Sequence, residues 1–483
     1  MLGGMIPPKA STKGAHAVVL GGGIGGLAAA GVLARHFERV TLVERDGYPA
    51  APATPALPVV RPHTLHGEHA HVLLAGGLCT LSRLVPDLPK WLDEAGFPEG
   101  DLTYHTRVAF EGRWLPRARS GIPIRSCTRG VVELLLARDV ARRDNVRVLA
   151  ESKAEGLLGG ATVRGVRVAR GGAEEEIAAD LVVDAMGRGS PSVEWLAAMN
   201  VPPAEEIVVD PGVVYSSCWF EPPPDIDDDW TALATLPSAP RDRRMGIALR
   251  IAADRLHCSA VEYGRPRPLR SPAELVAHME RLCVPELHRL LRASRPVSNV
   301  SVFANTQNRW RRHGSLPWFP DGFVILGDAV CSLNPRYGQG MTVASLGADR
   351  LDGELSSYAA ARGDLRGFSR SFQESLDEAL NVPWQIALME DQQFVTASSG
   401  ASPGLAQRIV ARGAARLLQT AFSDVETYVK FMRVAHLLDA PTRMLAPGTL
   451  AKIARGGRSD AATEQAPGIG AGVARTLESP RPG

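Results

Sequence analysis

Gly21, Gly23 and Gly26 stand in G-x-G-x-x-G spacing, and Glu44 follows 18 residues after Gly26. Residues of these types at this spacing hold a dinucleotide. The first glycine permits a tight turn, the second lets the backbone approach a pyrophosphate, and the third lets a helix pack closely on a strand. The helix start offers free N–H groups and a positive dipole end to the phosphates. A carboxylate at Glu44 can accept hydrogen bonds from both ribose hydroxyls of an adenosine and repels a 2′-phosphate, so the site suits FAD or NAD rather than NADP.

This chemistry needs particular elements around it, and the sequence supplies them. The apolar run Ala17–Leu20 reads as a buried strand, the glycines open an Ala/Leu-rich helix, and Val40–Val43 is a second strand ending in Glu44. A membrane helix over 15–34 is the competing reading, but six glycines in that stretch each cost about 1 kcal/mol relative to alanine in a helix interior. No small-residue cleavage pattern marks a signal peptide.

A second constellation lies far along the chain. Asp321–Ala329 is a short apolar strand ending in Gly327-Asp328. A loop with Pro335 follows, then Gly338, Gly340 and Met341 open a long helix. Asp328 can accept hydrogen bonds from a ribityl-like chain, and the amides near Gly340 and Met341 can face the electron-rich edge of a flavin ring. Between the two, Ala179–Asp184 reads as a buried strand running into the glycine-rich turn Gly187-Arg188-Gly189. Arg129 sits at a helix start, where a cation gains nothing from the dipole. Either a ligand anion or an ion pair with Glu133 accounts for it. His63, His66, His69 and His71 fall within nine residues. They lack the i, i+4 pairing of a helical zinc site, so no metal is assigned; hydrogen bonds to phosphate or ribityl oxygens, or to local backbone, are the two readings.

With 483 residues the chain has room for two or three domains. A net charge of +2 gives no electrostatic case for nucleic acid or an anionic membrane surface. Six scattered cysteines without C-x-x-C spacing support neither a zinc site nor a disulfide framework, and point to a reducing cytoplasm. Residues 1–14 and 456–483 read as flexible tails and Asp46–Pro62 as an irregular loop. An apolar helical pattern follows the histidines through Leu84. Residues 104–124 read as strands of a second sheet, and Val146–Leu149 with Gly165–Ala169 as a small inserted β element. Residues 200–265 are strand-like around an acidic, solvated run at 225–229. Residues 271–293 are helical, and 376–455 mostly helical, with Leu405, Ile409, Leu417 and Phe422 near one face and Val425, Tyr428, Val429 and Met432 repeating the spacing.

Three stretches in this order, GGGIGG with Glu44, DAMGRGS at 184–190 and GDAVCSLNPRYGQGM at 327–341, resemble single-component FAD-dependent monooxygenases of the aromatic-hydroxylase fold. HGEHAHVLLAGG and CTRGVVELL narrow the resemblance to the branch with bacterial polyether-pathway and polyene epoxidases. It covers roughly residues 15–200 and 315–440. It implies an α/β fold: a Rossmann-like, glutathione-reductase-type FAD-binding domain (15–80, 120–200 and 315–375), an inserted mixed β-sheet substrate domain (81–119 and 201–314) and a C-terminal helical region (376–455). Carried over, Gly21, Gly23, Gly25, Gly26, Glu44 and Arg45 would hold the ADP half of FAD. Arg129 and His66 would reach its pyrophosphate–ribityl region, with Asp184 and Gly187 in the turn beside it. Gly327 and Asp328 would bind the ribityl chain, and Pro335, Gly338, Gly340 and Met341 would border the isoalloxazine. Met186 stands where the branch usually has Thr, and His66 where Gln is common.

The implied reaction is reduction of FAD by NAD(P)H, uptake of O2 as a flavin 4a-hydroperoxide, and oxygen transfer to an electron-rich carbon. No catalytic side chain is assigned, since the cofactor does the chemistry. No second G-x-G-x-x-G occurs, so nicotinamide binds transiently or a separate flavin reductase supplies electrons. Tyr215, Trp219, Phe220 and Trp230 fall in the strand-rich middle that should line a pocket for a large, mostly apolar substrate; plain core is the alternative. Rival readings on the same fold are a flavin halogenase, an alkene-saturating reductase and a non-catalytic prenyl-protein binder. The halogenase motif W-x-W-x-I-P is missing: none of the eight tryptophans lies two from another.

Overall fold

The computed structural model describes residues 14–49, 59–64, 67–97, 99–227, 229–239, 241–362, 364–399 and 404–455. Both tails, nearly all of 1–14 and 456–483, lie outside them, as do His66 and the middle of the 46–62 loop.

Strands Gly14–Leu20, Phe37–Val43, Val146–Leu149, Leu181–Asp184 and Phe323–Ile325 form one five-stranded sheet. All its pairs are parallel, and Gly14–Leu20 is central, between Leu181–Asp184 and Phe37–Val43. Parallel strands buried on both faces need continuous apolar runs. Ala17, Val18, Val19, Leu20, Val182, Val183, Phe323 and Val324 accordingly have no exposed surface. Helix Ile24–Leu33 packs on this sheet and against helices Arg129–Ala141 and Gly340–Arg362. The antiparallel meander Ser152–Gly159, Val163–Arg170 and Ala173–Ala178 packs Val163, Val166 and Val168 into the same core. Val146–Leu149 therefore belongs to the parallel sheet, not to the inserted β element. The Gly-rich spacing beyond it marks the meander's turns only.

The second sheet is mixed and eight-stranded. It gathers Thr106–Phe110 and Arg113–Trp114 with Val214–Glu221, Ala232–Thr235, Arg244–Ala252, Arg255–Glu262, Arg295–Pro296 and Ser301–Phe303. The later part of 104–124 departs from expectation: Pro123–Thr128 leaves this sheet to pair with Ala70–Leu73. The apolar stretch after the histidines thus begins as a strand and turns helical only at Ala75–Leu84. Residues 271–293 form two helices, Pro272–Met279 and Glu286–Ala293, because Pro285 starts a new one at its N-cap. They cover one face of the sheet over Cys218, Phe220, Leu256, Cys258 and Ala260.

Helix Phe368–Ser399 begins earlier than the periodicity predicts and is followed by Leu405–Ala421, Val425–Ala435 and Pro447–Arg455. His436 anchors this C-terminal region. Its backbone carbonyl accepts from Gly76 N–H (2.9 Å) and its Nδ1 from Ala75 N–H (3.3 Å), which satisfies the open amides at the start of helix Ala75–Leu84. Among the described residues no helix is long and apolar enough to cross a membrane.

Candidate functional site

The glycine turn is built as its spacing demands. Gly21 has φ +95°, and a Cβ on Gly26 would lie 1.8 Å from the Gly21 carbonyl oxygen, so strand and helix meet at backbone distance. The helical ladder opens with Leu27 N–H donating to Gly23 O, and no side chain caps Gly23. The amides ahead of that bond are the orphan donors of a helix start. Gly25 packs against Leu326 and Ala344: its Cβ position lies 3.2 and 3.5 Å from their side chains. This contact joins the glycine turn to the second constellation, 300 residues away in sequence. Strand Phe323–Ile325 and helix Gly340–Arg362 bring Asp328 and Gly340 to the same side of the parallel sheet as Glu44.

Glu44 is buried. Its carboxylate accepts the N–H of Gly22 and, at 2.8 Å, that of Asp46, and it pairs with Arg61 Nη1 at 3.3 Å. Arg61 also donates to the Gly22 carbonyl (3.2 Å) and to Glu133 (2.8 Å), while the Tyr48 hydroxyl donates to Gly22 O (2.9 Å). Glu133 Oε1 takes Arg129 Nε at 2.8 Å. The ion pair between Arg129 and Glu133 therefore exists, and Glu133, which is 2 % exposed, is shared between two guanidiniums. Arg129 is the more open of the two, and its Nη2 lies 3.3 Å from the Cβ position of Gly23. Arg61 and Tyr48 escape the sequence reading. They lie near the two ends of the irregular 46–62 loop, and no local periodicity marks them. Arg45 points to solvent.

Asp328 faces the same recess. Burial pushes its carboxyl up, and Arg129, Arg188 and Arg309 draw it back. It accepts no hydrogen bond from a described residue, which leaves its oxygens for a ligand's hydroxyls. Asp184, by contrast, is fully buried, and its carboxylate is taken up by Met186 N–H (2.9 Å) and the Ser190 hydroxyl. It shapes the 185–190 turn and sets Gly187, whose Cβ position is 4.0 Å from Asp328 Cβ. Gly327 has φ +65° and turns the chain beneath Asp328. Pro335–Tyr337 is a short helical turn closed by Gly338 N–H to Pro335 O (2.9 Å), and Gly338 has φ +62°. Met341 is buried in the core. A Cβ on Gly189, which is exposed, or on Gly340 would meet nothing within 4 Å, so neither glycine is packed against a neighbour. Orphan amides, an unengaged carboxylate, a cationic Arg129 and these bare glycines fit the phosphates, ribityl chain and ring of FAD.

The large sheet meets the Asn334–Gly338 turn through Tyr215. Tyr215, Ser217 and Trp219 share one face of Val214–Glu221, and the Tyr215 hydroxyl reaches Asn334 Oδ1 (3.5 Å) in the turn before Gly338. Phe220 and Trp230, expected beside them, pack on the opposite face under the two helices. The histidine cluster is dispersed: His63 bonds Asp46, His69 bonds Ser217, and His71 lies in strand Ala70–Leu73. Among the described residues no group of side chains could hold a metal ion.

No protein-family model matches the chain. Protein Rv3254 of Mycobacterium tuberculosis is 32% identical over 370 residues, which span 72% of this chain and 75% of that protein. The flavin-dependent brominase Bmp2 superposes with TM-score 0.61 at 14% identity over 92% of this chain and 99% of its own. PqsL of Pseudomonas aeruginosa, a probable FAD-dependent monooxygenase, gives 0.59 at 17% over 80% and 99%. The myxobacterial chondrochloren halogenase CndH gives 0.58 at 17% over 90% and 96%. At these identities the three structures share the fold.

Proposed function

The chain belongs to the family of Mycobacterium tuberculosis protein Rv3254 and has the FAD-dependent aromatic-hydroxylase fold, and from this we propose that it is a monooxygenase that uses FAD, NAD(P)H and O2 to epoxidise or hydroxylate a large, mostly apolar polyketide- or terpene-like molecule. One observation carries the reading: the glycine turn, Arg129 and the segment around Asp328 come together, with Tyr215 of the large sheet against the Asn334 turn.

FAD, when bound, supplies the redox chemistry and the activation of oxygen. The protein's part is binding, orientation and exclusion of water. The start of helix Ile24–Leu33 and Arg129 would take the pyrophosphate. Glu44 sits at the end of its strand where an adenosine ribose would lie. Asp328 would hold the ribityl hydroxyls, and the amides at the start of helix Gly340–Arg362 would serve the ring. The buried sheet face above keeps water from the reacting atoms.

Arg129→Ala is expected to weaken FAD binding about tenfold, the worth of one charge-assisted hydrogen bond. It should leave the fold intact, because Glu133 keeps Arg61. Titration of apoprotein with FAD, followed by flavin fluorescence, measures this.

The reaction is tested by recording the absorbance spectrum of the purified protein and incubating it with NADH or NADPH, isotopically labelled dioxygen and a panel of polyenes and polycyclic arenes. A product heavier by one labelled oxygen is expected. A product heavier by two hydrogens, a halogenated product in the presence of halide, or a protein that takes up no flavin overturns the proposal.

A further inference from the structure

The inner face of the large sheet carries polar groups where apolar ones would pack more cheaply. On strand Val214–Glu221 the inward residues are Tyr215, Ser217 and Trp219. Their partners across the ladder on Arg255–Glu262 are Val261, Ser259 and His257. Ser217, Ser259 and His257 are all buried, and His257 is 2 % exposed. The two serine hydroxyls share a hydrogen bond of 2.8 Å, and His69 Nδ1 adds another to Ser217 Oγ at 2.9 Å. His257 lies edge-on to Trp219 (4.9 Å between ring centroids) and to His69 (5.9 Å). Its Nε2 is buried and has no hydrogen-bond partner among the described residues. A buried ring nitrogen left unbonded costs about 1–3 kcal/mol. Alternation along the strand places this group one step from Tyr215, which touches the Asn334 turn of the flavin-side wall.

We infer that His257, His69, Ser217 and Ser259 form a subsite that takes an uncharged oxygen, a hydroxyl or a carbonyl, on an otherwise apolar substrate and thereby sets which carbon faces the ring.

Charge is what the subsite excludes. Burial holds His69 down at about 4 and His257 well below its ordinary value, so both imidazoles are neutral near pH 7. Among the described residues no lysine or arginine bonds any of the four. Glu68, the nearby acid, is exposed and turned to the Ser301 hydroxyl. A carboxylate ligand would find no cation bonded to the four, and an ammonium only the solvent-exposed Glu68, to offset its desolvation. A neutral hydroxyl finds an acceptor or a donor in either imidazole, since a neutral ring offers one of each. Trp219 and Phe303, the latter edge-on to His69 at 6.2 Å, supply flat apolar walls beside the polar group.

The inference rests on the recess being the substrate site of the flavoprotein, and its test is binding rather than turnover. FAD-loaded protein is titrated calorimetrically with naphthalene, 2-naphthol, 2-naphthoate and 2-naphthylmethylammonium. The naphthol is expected to bind about tenfold more tightly than naphthalene, and both ions more weakly than naphthalene. His257→Leu and Ser217→Ala, checked for retained FAD, are each expected to bring naphthol to within about threefold of naphthalene. Equal affinities for naphthol and naphthalene in the unaltered protein, no binding of either, tighter binding of an ion, or variants that keep the preference overturn the subsite. The ranking in the unaltered protein decides the matter even where a variant fails to fold. A protein that shows the preference yet transfers no oxygen overturns the proposed reaction and leaves the subsite standing. Oxygen transfer to arenes without the preference does the reverse.

Discussion

Gly26→Ala is expected to lose about 3 kcal/mol or more of stability and to purify without FAD, while Gly31→Ala, five residues along the same helix, is expected to gain up to about 1 kcal/mol and keep its flavin. Both changes add one methyl to a buried position of helix Ile24–Leu33, where alanine is intrinsically favoured over glycine. Surroundings decide the sign. At Gly31 the new carbon would meet the Arg143 and Asp139 side chains at 3.6 Å, an ordinary contact. At Gly26 it would lie 1.8 Å from the Gly21 carbonyl oxygen and 3.4 Å from Ala185 Cβ. That carbonyl belongs to the turn itself and cannot swing aside, because Gly21 N–H is tied to Val43 O (2.8 Å) and Ala185 N–H to Leu20 O (2.8 Å). The helix must instead lift from the central strand, carrying the amides that face the pyrophosphate and opening the seam where Gly25 meets Ala344. Thermal melts and the flavin-to-protein absorbance ratio of the two variants measure the contrast. Equal behaviour of the pair would show that close packing at Gly26 is not what the spacing secures.

The same turn shows what a sequence can disclose. Strand, glycines, helix, strand and acid are contiguous, and each requirement is met within a few residues, so local reasoning suffices from Ala17 to Glu44. The convergence of Asp328 with that turn rests on a parallel sheet whose neighbours are consecutive in space but not in sequence. It is legible through the resemblance, not through spacing. Glu133 is joined to Arg61 across 72 positions, and the Tyr48 hydroxyl to Gly22 across 26, with no repeating pattern to announce either. The misplacement of Phe220 beside Trp219 had a local remedy. Adjacent residues of a strand point to opposite faces, so only one of the two could line the recess. His69 and His257 stay unlinked in sequence: the ladder sets His257 opposite Trp219, and His69 joins them from outside that sheet through its bond to Ser217, 148 positions away.

Asp391 is the second place where one substitution should have a large effect, and nothing in the helical periodicity of its segment sets it apart. It lies in helix Phe368–Ser399 with no exposed surface. Its Oδ1 accepts from the Tyr263 hydroxyl (3.1 Å) and the Tyr337 hydroxyl (2.8 Å), and its Oδ2 from Asn308 Nδ2 (2.6 Å) and Asn334 Nδ2 (3.1 Å). Asn308 Oδ1 in turn accepts the Asn334 N–H at 2.7 Å, and Asn334 Oδ1 accepts that of Arg336 at 3.2 Å. Arg336 is held next to this by Glu390. One carboxylate thus fixes both ends of the turn that leads to Gly338 and Gly340. Asp391→Asn replaces one acceptor oxygen by an NH2 group that faces donors, and Asp391→Ala leaves all four donors without a partner. Losing one member of a buried network costs about 3–5 kcal/mol. Asp391→Leu, which removes the polarity but leaves the four donors bare, should recover little of it. Chemical denaturation gives the stability, and FAD titration of the surviving folded fraction should show affinity reduced about tenfold or more, since the Asn334–Gly338 turn is then free to move. The test of the mechanism is selectivity. The network lies by the ring end, so FAD affinity should fall while ADP, which lacks ribityl chain and ring, binds the folded variant as it binds the parent protein. A parallel loss of ADP binding would mean that Asp391 supports the whole fold rather than the ring-side wall.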